Sequence, residues 1–231
     1  LATLIEAEFR KLSNHFGALS FQKSNFDFRL ATRLYDSVPL THQSSHASLF
    51  SETSREELQY IQFRRFLPAF DEMCDIVGYW EAEDYKTCRM VVSAFLESFL
   101  HGFQALLGKP AFSKKWVYRL SQELDEEFAD VKFAYEALMM TDFSRPTADR
   151  EFVVSGLDIV DLILSHTRNI LNRSEVLPTS KSMLELVNRR YEDLLTEDRF
   201  DRRARTELER QRRYLECHYS DEAGRLSSFL G

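Results

Sequence analysis

Five prolines and seven glycines are the main interruptions in a chain of 231 residues whose apolar residues otherwise recur at helical spacing. Spacings of three and four residues are typical of an amphipathic α-helix, whereas a strand would alternate apolar and polar residues. No stretch of the sequence shows that alternation. The sequence therefore predicts an all-α multi-helix bundle of about seven to eight helices, divided at Pro39, Pro68, Pro110, Pro146 and Pro178.

The centre of this bundle is predicted to consist of three long helices, over residues 84–107, 113–140 and 148–172. Gly108 and Pro110 are a strong stop signal for the first helix, and Thr147 is in place to cap the third. Apolar residues cover almost every side of the segment from Val153 to Leu164, as is expected of a helix surrounded by others. We therefore expect this third helix to be the innermost one.

A single helical domain is expected to span residues 1–231. Within it, residues 37–54 are rich in Ser and Thr and are expected to form a flexible loop. Residues 197–221 differ from the rest because charged residues dominate them, and they predict a last, mixed-charge helix capped by Thr196.

The composition argues against several classes of protein. The formal net charge of −7 disfavours a general affinity for nucleic acid or anionic membranes. Three widely spaced cysteines, Cys74, Cys88 and Cys217, make a disulfide framework or a four-ligand zinc site improbable and favour an intracellular, cytoplasmic or nuclear location. No apolar run has the length of a membrane span, and the first residues lack the regions of a signal peptide. No cofactor and no metal site are expected.

The C-terminal helix is the predicted binding surface. From Glu197 to Glu216 it carries seven arginines, six acids and only a thin apolar stripe. Such a helix offers a narrow seam to a partner or is mostly solvated. The favoured function is a non-catalytic scaffold or adaptor that binds an acidic protein surface or a second copy of itself through Arg199, Phe200, Arg202, Arg203, Arg205, Leu208, Arg212 and Leu215.

Arg213 and His218 suggest an alternative, because four residues separate them in the sequence Arg-Tyr-Leu-Glu-Cys-His. This spacing resembles the motif of HEPN-type RNases, helical proteins that pair so that the Arg and His of two protomers meet at an RNA phosphate. The resemblance implies that Arg213 stabilises developing phosphate charge and that His218 serves as acid or base. The simpler interpretation is a solvated arginine and a histidine in a terminal helix.

Two other resemblances concern acidic and aromatic segments. Asp71 and Asp75, in Asp-Glu-Met-Cys-Asp, resemble the magnesium motif of terpene synthases and prenyltransferases. That resemblance implies a magnesium-dependent diphosphate enzyme, since carboxylates at i and i+4 share a helix face; the alternative is an exposed acidic segment. The segments 142–146 and 188–193 resemble RNA-associated proteins of the translin type. We do not infer the activity of that family for this chain.

One face of the predicted innermost helix is polar, and it holds Asp158, Asp161, Ser165, Arg168 and Asn172. If this face were buried, two acids beside an arginine would form a candidate site. A solvated stripe on an amphipathic helix gives the same spacing, and we expect that second arrangement.

Overall fold

The computed structural model describes residues 56, 59, 60, 63, 70–109, 116–196 and 201–231, with the backbone alone at residues 70, 71 and 190. In these ranges the chain forms seven α-helices and no strand, which confirms the all-α prediction. The Ser/Thr-rich loop predicted over 37–54 lies outside the described residues. The helices are α1 Phe70–Glu81, α2 Tyr85–Leu106, α3 Val117–Ser121, α4 Ala129–Met139, α5 Ala148–Arg173, α6 Ser180–Thr196 and α7 Arg202–Tyr219.

Helix α5 lies at the centre, as its apolar sequence predicted. Helices α2, α4, α6 and α7 and a C-terminal 3₁₀ turn, Leu226–Leu230, all pack against it. Helix α2 packs closely on it at Gly156, where an added Cβ would lie 2.6 Å from Val92 Cγ1. Only glycine permits this approach, because a Cβ at that distance overlaps the valine methyl group.

The buried apolar residues form two clusters. The larger one joins α1, α2, α4 and α5 and is filled by aromatic rings such as Phe99 and Phe103, which have no exposed surface. The smaller one lies at the other end of α5, where Leu171 meets Val187 of α6 and Tyr219 of α7. Helices α5 and α7 contribute residues to both clusters and so connect the two ends of the bundle.

The single helix predicted over 113–140 is wrong in the part that the structure describes. Helix α3 ends at Ser121, an extended residue at Asp125 follows, and a 3₁₀ turn, Glu126–Phe128, leads into α4. Two lysine ammonium groups stabilise the carbonyls that the break exposes: Lys109 donates to Glu123 O at 2.8 Å, and Lys132 donates to Gln122 O at 3.1 Å. The periodicity of apolar residues carries no information on these distant donors.

The last helix begins later than the sequence predicted. Thr196 is the final residue of α6, and its hydroxyl donates to Asp193 O. The cap of α7 is Asp201, whose carboxylate accepts the Ala204 N–H at 2.8 Å. Among the described residues, none of the helices is long and apolar enough to cross a bilayer.

Candidate interaction groove

A groove of about 400 Å³ runs along the outer side of the pair formed by α4 and α5. Asp130 of α4 meets His166 of α5 at one end, and the turn after α4 leads back to Glu151 at the other, so the two helices are antiparallel. Six apolar side chains line the groove: Ala134, Ala137, Leu138, Phe152, Ile159 and Leu162. This volume lies in the range of specific binding sites, although the groove is open to solvent.

The groove exists because the facing side chains of the two helices are small. Ala134 and Ala137 stand on α4 where Ser155 faces them on α5, and none of the three can fill the space between the helices. Leu138 and Ile159 form the floor, since both are buried in the larger cluster. The result is a shallow apolar channel into which a third helix could pack closely, because the separation of packed helices depends on the side chains at the contact.

The charged residues at the wall of the groove are mainly acidic. Glu151 accepts a hydrogen bond from the Thr147 hydroxyl at 2.7 Å and pairs with Arg145 at 2.8 Å. The Thr147 hydrogen bond, and then the Arg145 charge, hold the pKa of Glu151 below its ordinary value. Asp158 lies two helical turns further along the same face of α5. The wall therefore carries two carboxylates that lie about two helical turns apart along α5.

Exposed apolar side chains extend the groove beyond its lining. The Phe143 ring, 45% exposed, lies 5.7 Å from the ring of Phe152 in the groove. Phe133 and Met140, 62% and 78% exposed, share a face of α4 with Ala137, because they lie four and three residues from it. Large apolar side chains that are exposed beside an apolar groove are typical of interaction sites.

The apolar stripe of the predicted binding helix packs within the chain. Leu208 and Leu215 of α7 lie against the smaller cluster, which α6 helps to form. Arg212 donates to Asn188 of α6 at 3.0 Å and to Glu216 at 2.9 Å. Arg202 and Arg203 are exposed, Arg205 is half-buried, and Arg199 and Phe200 lie outside the described residues. Helix α6 thus occupies the seam for which the sequence suggested an external partner.

Arg213 and His218 do not converge within the chain. The two residues lie about 140° apart around α7, so Arg213 is exposed while His218 is 6% exposed and has the Phe99 ring 5.5 Å away. Burial, reinforced by the Arg168 charge, lowers the pKa of His218 to about 4. The His218 imidazole is therefore neutral at physiological pH and faces the core, and the resemblance to HEPN-type RNases remains a prediction without support from this placement.

The polar face of α5 is not the solvated stripe that we expected. The Leu226 N–H donates to both Asp161 carboxylate oxygens at 3.1 and 3.2 Å, and the Ser227 hydroxyl donates to Asp158 at 3.2 Å. Arg168 donates to the Cys217 carbonyl at 2.9 Å.

These hydrogen bonds hold the C-terminal residues on α5, and they give the polar face a structural role. Arg168 also pairs with Asp221, while Asn172 accepts the Ser180 N–H at the start of α6. The expectation was wrong because the helical spacing of the polar residues along α5 does not reveal that a later, non-helical segment of the chain covers them.

The candidate metal residues are not gathered in the described part of the chain. Asp75 is exposed, and the side chain of Asp71 lies outside the described residues. No group of three or more His, Cys, Asp or Glu side chains there is arranged to hold a metal ion. The magnesium-dependent activity suggested by these two residues remains a prediction.

Sequence reasoning missed the groove, although one signal of it was present. Phe133 and Met140 lie outside the apolar face that includes Val131, Tyr135 and Leu138, so they widen the apolar arc of α4 beyond what its core contacts need.

No family model matches the chain, and neither a curated protein nor a solved structure matches it.

Proposed function

We propose that this chain is a non-catalytic helical interaction module that binds an apolar protein segment in the α4–α5 groove. The observation that carries the proposal is an apolar groove whose lining residue Phe152 contacts the exposed Phe143 ring, beside an α4 face that also presents exposed Phe133 and Met140. Burying these side chains against a partner would remove apolar surface from water, which is the main driving force of protein association.

The titratable groups of the described core favour binding over catalysis. Burial raises the pKa of Cys88 and of Cys217 to about 11, so both thiols are protonated and poorly nucleophilic at neutral pH. Asp161 accepts a structural hydrogen bond, and His218 is enclosed by the core. None of these groups faces the groove, where Arg145, Glu151 and Asp158 already have polar partners within the chain.

The first test is a selection of helical peptides from an unbiased displayed library, with Ala137→Glu as the counter-selected variant. Ala137 is exposed and lines the groove, so glutamate at this position introduces a carboxylate into the channel without opening the core. Ala94→Glu, at an exposed position in the interior of α2, is the matched control.

We expect selected peptides to carry an apolar helical stripe, to bind the wild type and Ala94→Glu, and to lose binding to Ala137→Glu. Ser155→Glu, on the facing wall, repeats the test from α5 if Ala137→Glu does not fold by circular dichroism. A library that yields no peptide sensitive to either groove variant would refute the proposed function.

A further inference from the structure

We infer that the occupant of the α4–α5 groove is a helix of a partner protein with basic residues two turns apart beside its apolar stripe. This inference rests on the proposed function, and it adds the chemistry of the partner. The charges that surround the groove and their spacing along α5 support this partner.

The lining of the groove carries two carboxylates and one guanidinium, a net charge of −1. Glu151 and Asp158 line the groove, Asp130 stands on α4 at one end, and Asp142 directly follows the lining residue Thr141. Arg145 is the one cation in the lining, and its guanidinium is held 2.8 Å from Glu151. A partner that buries the apolar floor therefore meets a carboxylate rim, and a basic rim on the partner complements it.

Two cations lie beyond the lining: the Lys132 ammonium is 6.0 Å from the Phe133 ring, and the Arg89 guanidinium is 4.2 Å from the Phe143 ring and pairs with Asp149. The Lys132 ammonium donates to the Gln122 carbonyl at 3.1 Å, in the connection between α3 and α4. Asp142 accepts the Ser144 N–H at 2.9 Å, which lowers the pKa of its carboxyl and keeps it ionised. The negative charge at the mouth of the groove is thus present at neutral pH.

The spacing of the two lining carboxylates selects a helix. Glu151 and Asp158 are seven residues apart on α5, which places them about 10.5 Å from each other along the helix axis. A partner helix that lies along the groove presents residues i and i+7 at the same separation and on the same side. Lysine or arginine at these two positions would meet both carboxylates while the apolar stripe lies on Leu138 and Ile159.

The apolar floor of the groove argues against another occupant, helix α7 of a second copy of this chain. The exposed face of α7 is basic, with Arg202, Arg203, Arg210 and Arg213, but the apolar residues Leu208 and Leu215 are packed inside the same chain. That face can satisfy the carboxylates and cannot fill the apolar floor. A partner helix with both features fits better.

The test uses three synthetic helical peptides of about 18 residues, a length at which isolated helices become measurable. All three carry the same leucine stripe, and they differ only at the two positions i and i+7 on its flank: lysine, glutamine or glutamate. Fluorescence anisotropy with the full chain gives the affinity of each peptide for the wild type, Ala137→Glu and Ala94→Glu.

We expect the lysine peptide to bind about five- to tenfold more tightly than the glutamine peptide, as two exposed ion pairs would give, and the glutamate peptide to bind most weakly. Raising the salt concentration from about 0.1 M to about 1 M shortens the screening length from about 10 Å to about 3 Å and should remove most of the difference. Ala137→Glu should abolish binding, although it makes the chain more acidic, whereas Ala94→Glu adds the same charge and should not.

Three results would overturn the inference. Equal binding of all three peptides, sensitive to Ala137→Glu, would leave the proposed function intact and refute the basic partner. Binding of the lysine peptide that Ala137→Glu does not reduce would show charge attraction outside the groove. A concentration-dependent dimer by light scattering that Ala137→Glu converts to monomer would assign the groove to a second copy. The library selection separates failure of this inference from failure of the proposed function, because it admits peptides of any charge.

Discussion

Gly156 shows how a single missing methyl group determines the packing of α2 on α5. An added Cβ would lie 2.6 Å from Val92 Cγ1, and Val92 is fully buried with a stiff β-branched side chain. We expect Gly156→Ala to lower the free energy of unfolding by about 1–3 kcal/mol, in spite of the better helix propensity of alanine. Urea denaturation measures the change.

Gly78 is the matched control for this substitution. It lies in α1, is exposed, and an added Cβ would meet nothing within 4 Å. Gly78→Ala should therefore stabilise the protein by about 0.5–1 kcal/mol through the entropy of the unfolded chain. If Gly156→Ala were also stabilising, α2 and α5 would have to separate easily at this point, and the close approach would not be a constraint.

His218 makes the stability of the protein depend on pH. Its pKa is about 4 in the folded state and 6.5 in its ordinary state, so below pH 6.5 the unfolded chain takes up a proton that the folded chain refuses. The stability that goes with a neutral His218 is therefore fully present above pH 6.5 and is lost as the pH falls towards 4. We expect His218→Leu to gain stability relative to the wild type over this interval, in urea unfolding measured at successive pH values.

Asp161 should give the opposite dependence. Burial, with Asp158 nearby, raises the pKa of Asp161 to about 6 from its ordinary value of 3.8, so the folded chain holds a proton that the unfolded chain releases. The contribution of Asp161 to stability therefore improves as the pH falls from about 6 to 3.8. Asparagine cannot ionise, so any gain in stability of Asp161→Asn over the wild type above pH 6 should shrink in that window. Parallel pH profiles for the two variants would contradict these assignments.

At the scale of elements, the α6–α7 pair decides between an internal and an external seam. Leu208 and Leu215 pack on the smaller cluster, so replacing each with serine should cost about 1–2 kcal/mol of stability without changing the solution mass. Val176→Ser is the control, because Val176 is 47% exposed. Unchanged stability together with a loss of assembly would instead mark the stripe as a contact with another chain.

Helices that bury one continuous face could be predicted from the sequence, and this applies to α2 and α5. The spacing of Val92, Phe95, Leu96 and Phe99 sets the buried face of α2 directly, because local periodicity and burial coincide there. The break after α3 could not be predicted, since the Lys109 ammonium that stabilises it lies 14 residues from Glu123 along the chain. Long-range donors leave no periodic signal.

The groove belongs to the same unpredictable class, for a different physical reason. Ala134, Ala137 and Ser155 are ordinary helix residues in sequence, and they form a channel only where two helices bring them face to face. The C-terminal segment is a further case, because Asp161 and Leu226 are 65 residues apart. Sequence reasoning therefore identified the elements of the fold and placed the binding surface on α7, while the groove depends on the pairing of α4 and α5.

At the scale of the whole molecule, the two apolar clusters should unfold together. Helices α5 and α7 contribute residues to both clusters. Unfolding of the smaller cluster would remove the packing around Leu171 of α5 and Tyr219 of α7, although the larger cluster still depends on these two helices. We therefore expect the two clusters to unfold in one cooperative transition, because they share these helices.

Val187→Ala tests this coupling, because Val187 is fully buried in the smaller cluster. The two tryptophans of the chain, Trp80 in α1 and Trp116 before α3, both lie outside that cluster. Deleting the two methyl groups should cost about 2 kcal/mol, and a cooperative molecule must show the whole loss in tryptophan fluorescence as well as in far-ultraviolet circular dichroism. If the fluorescence midpoint in urea stayed at the wild-type value while the dichroism midpoint fell, the smaller cluster would unfold alone, and α5 would not transmit stability between the two ends of the bundle.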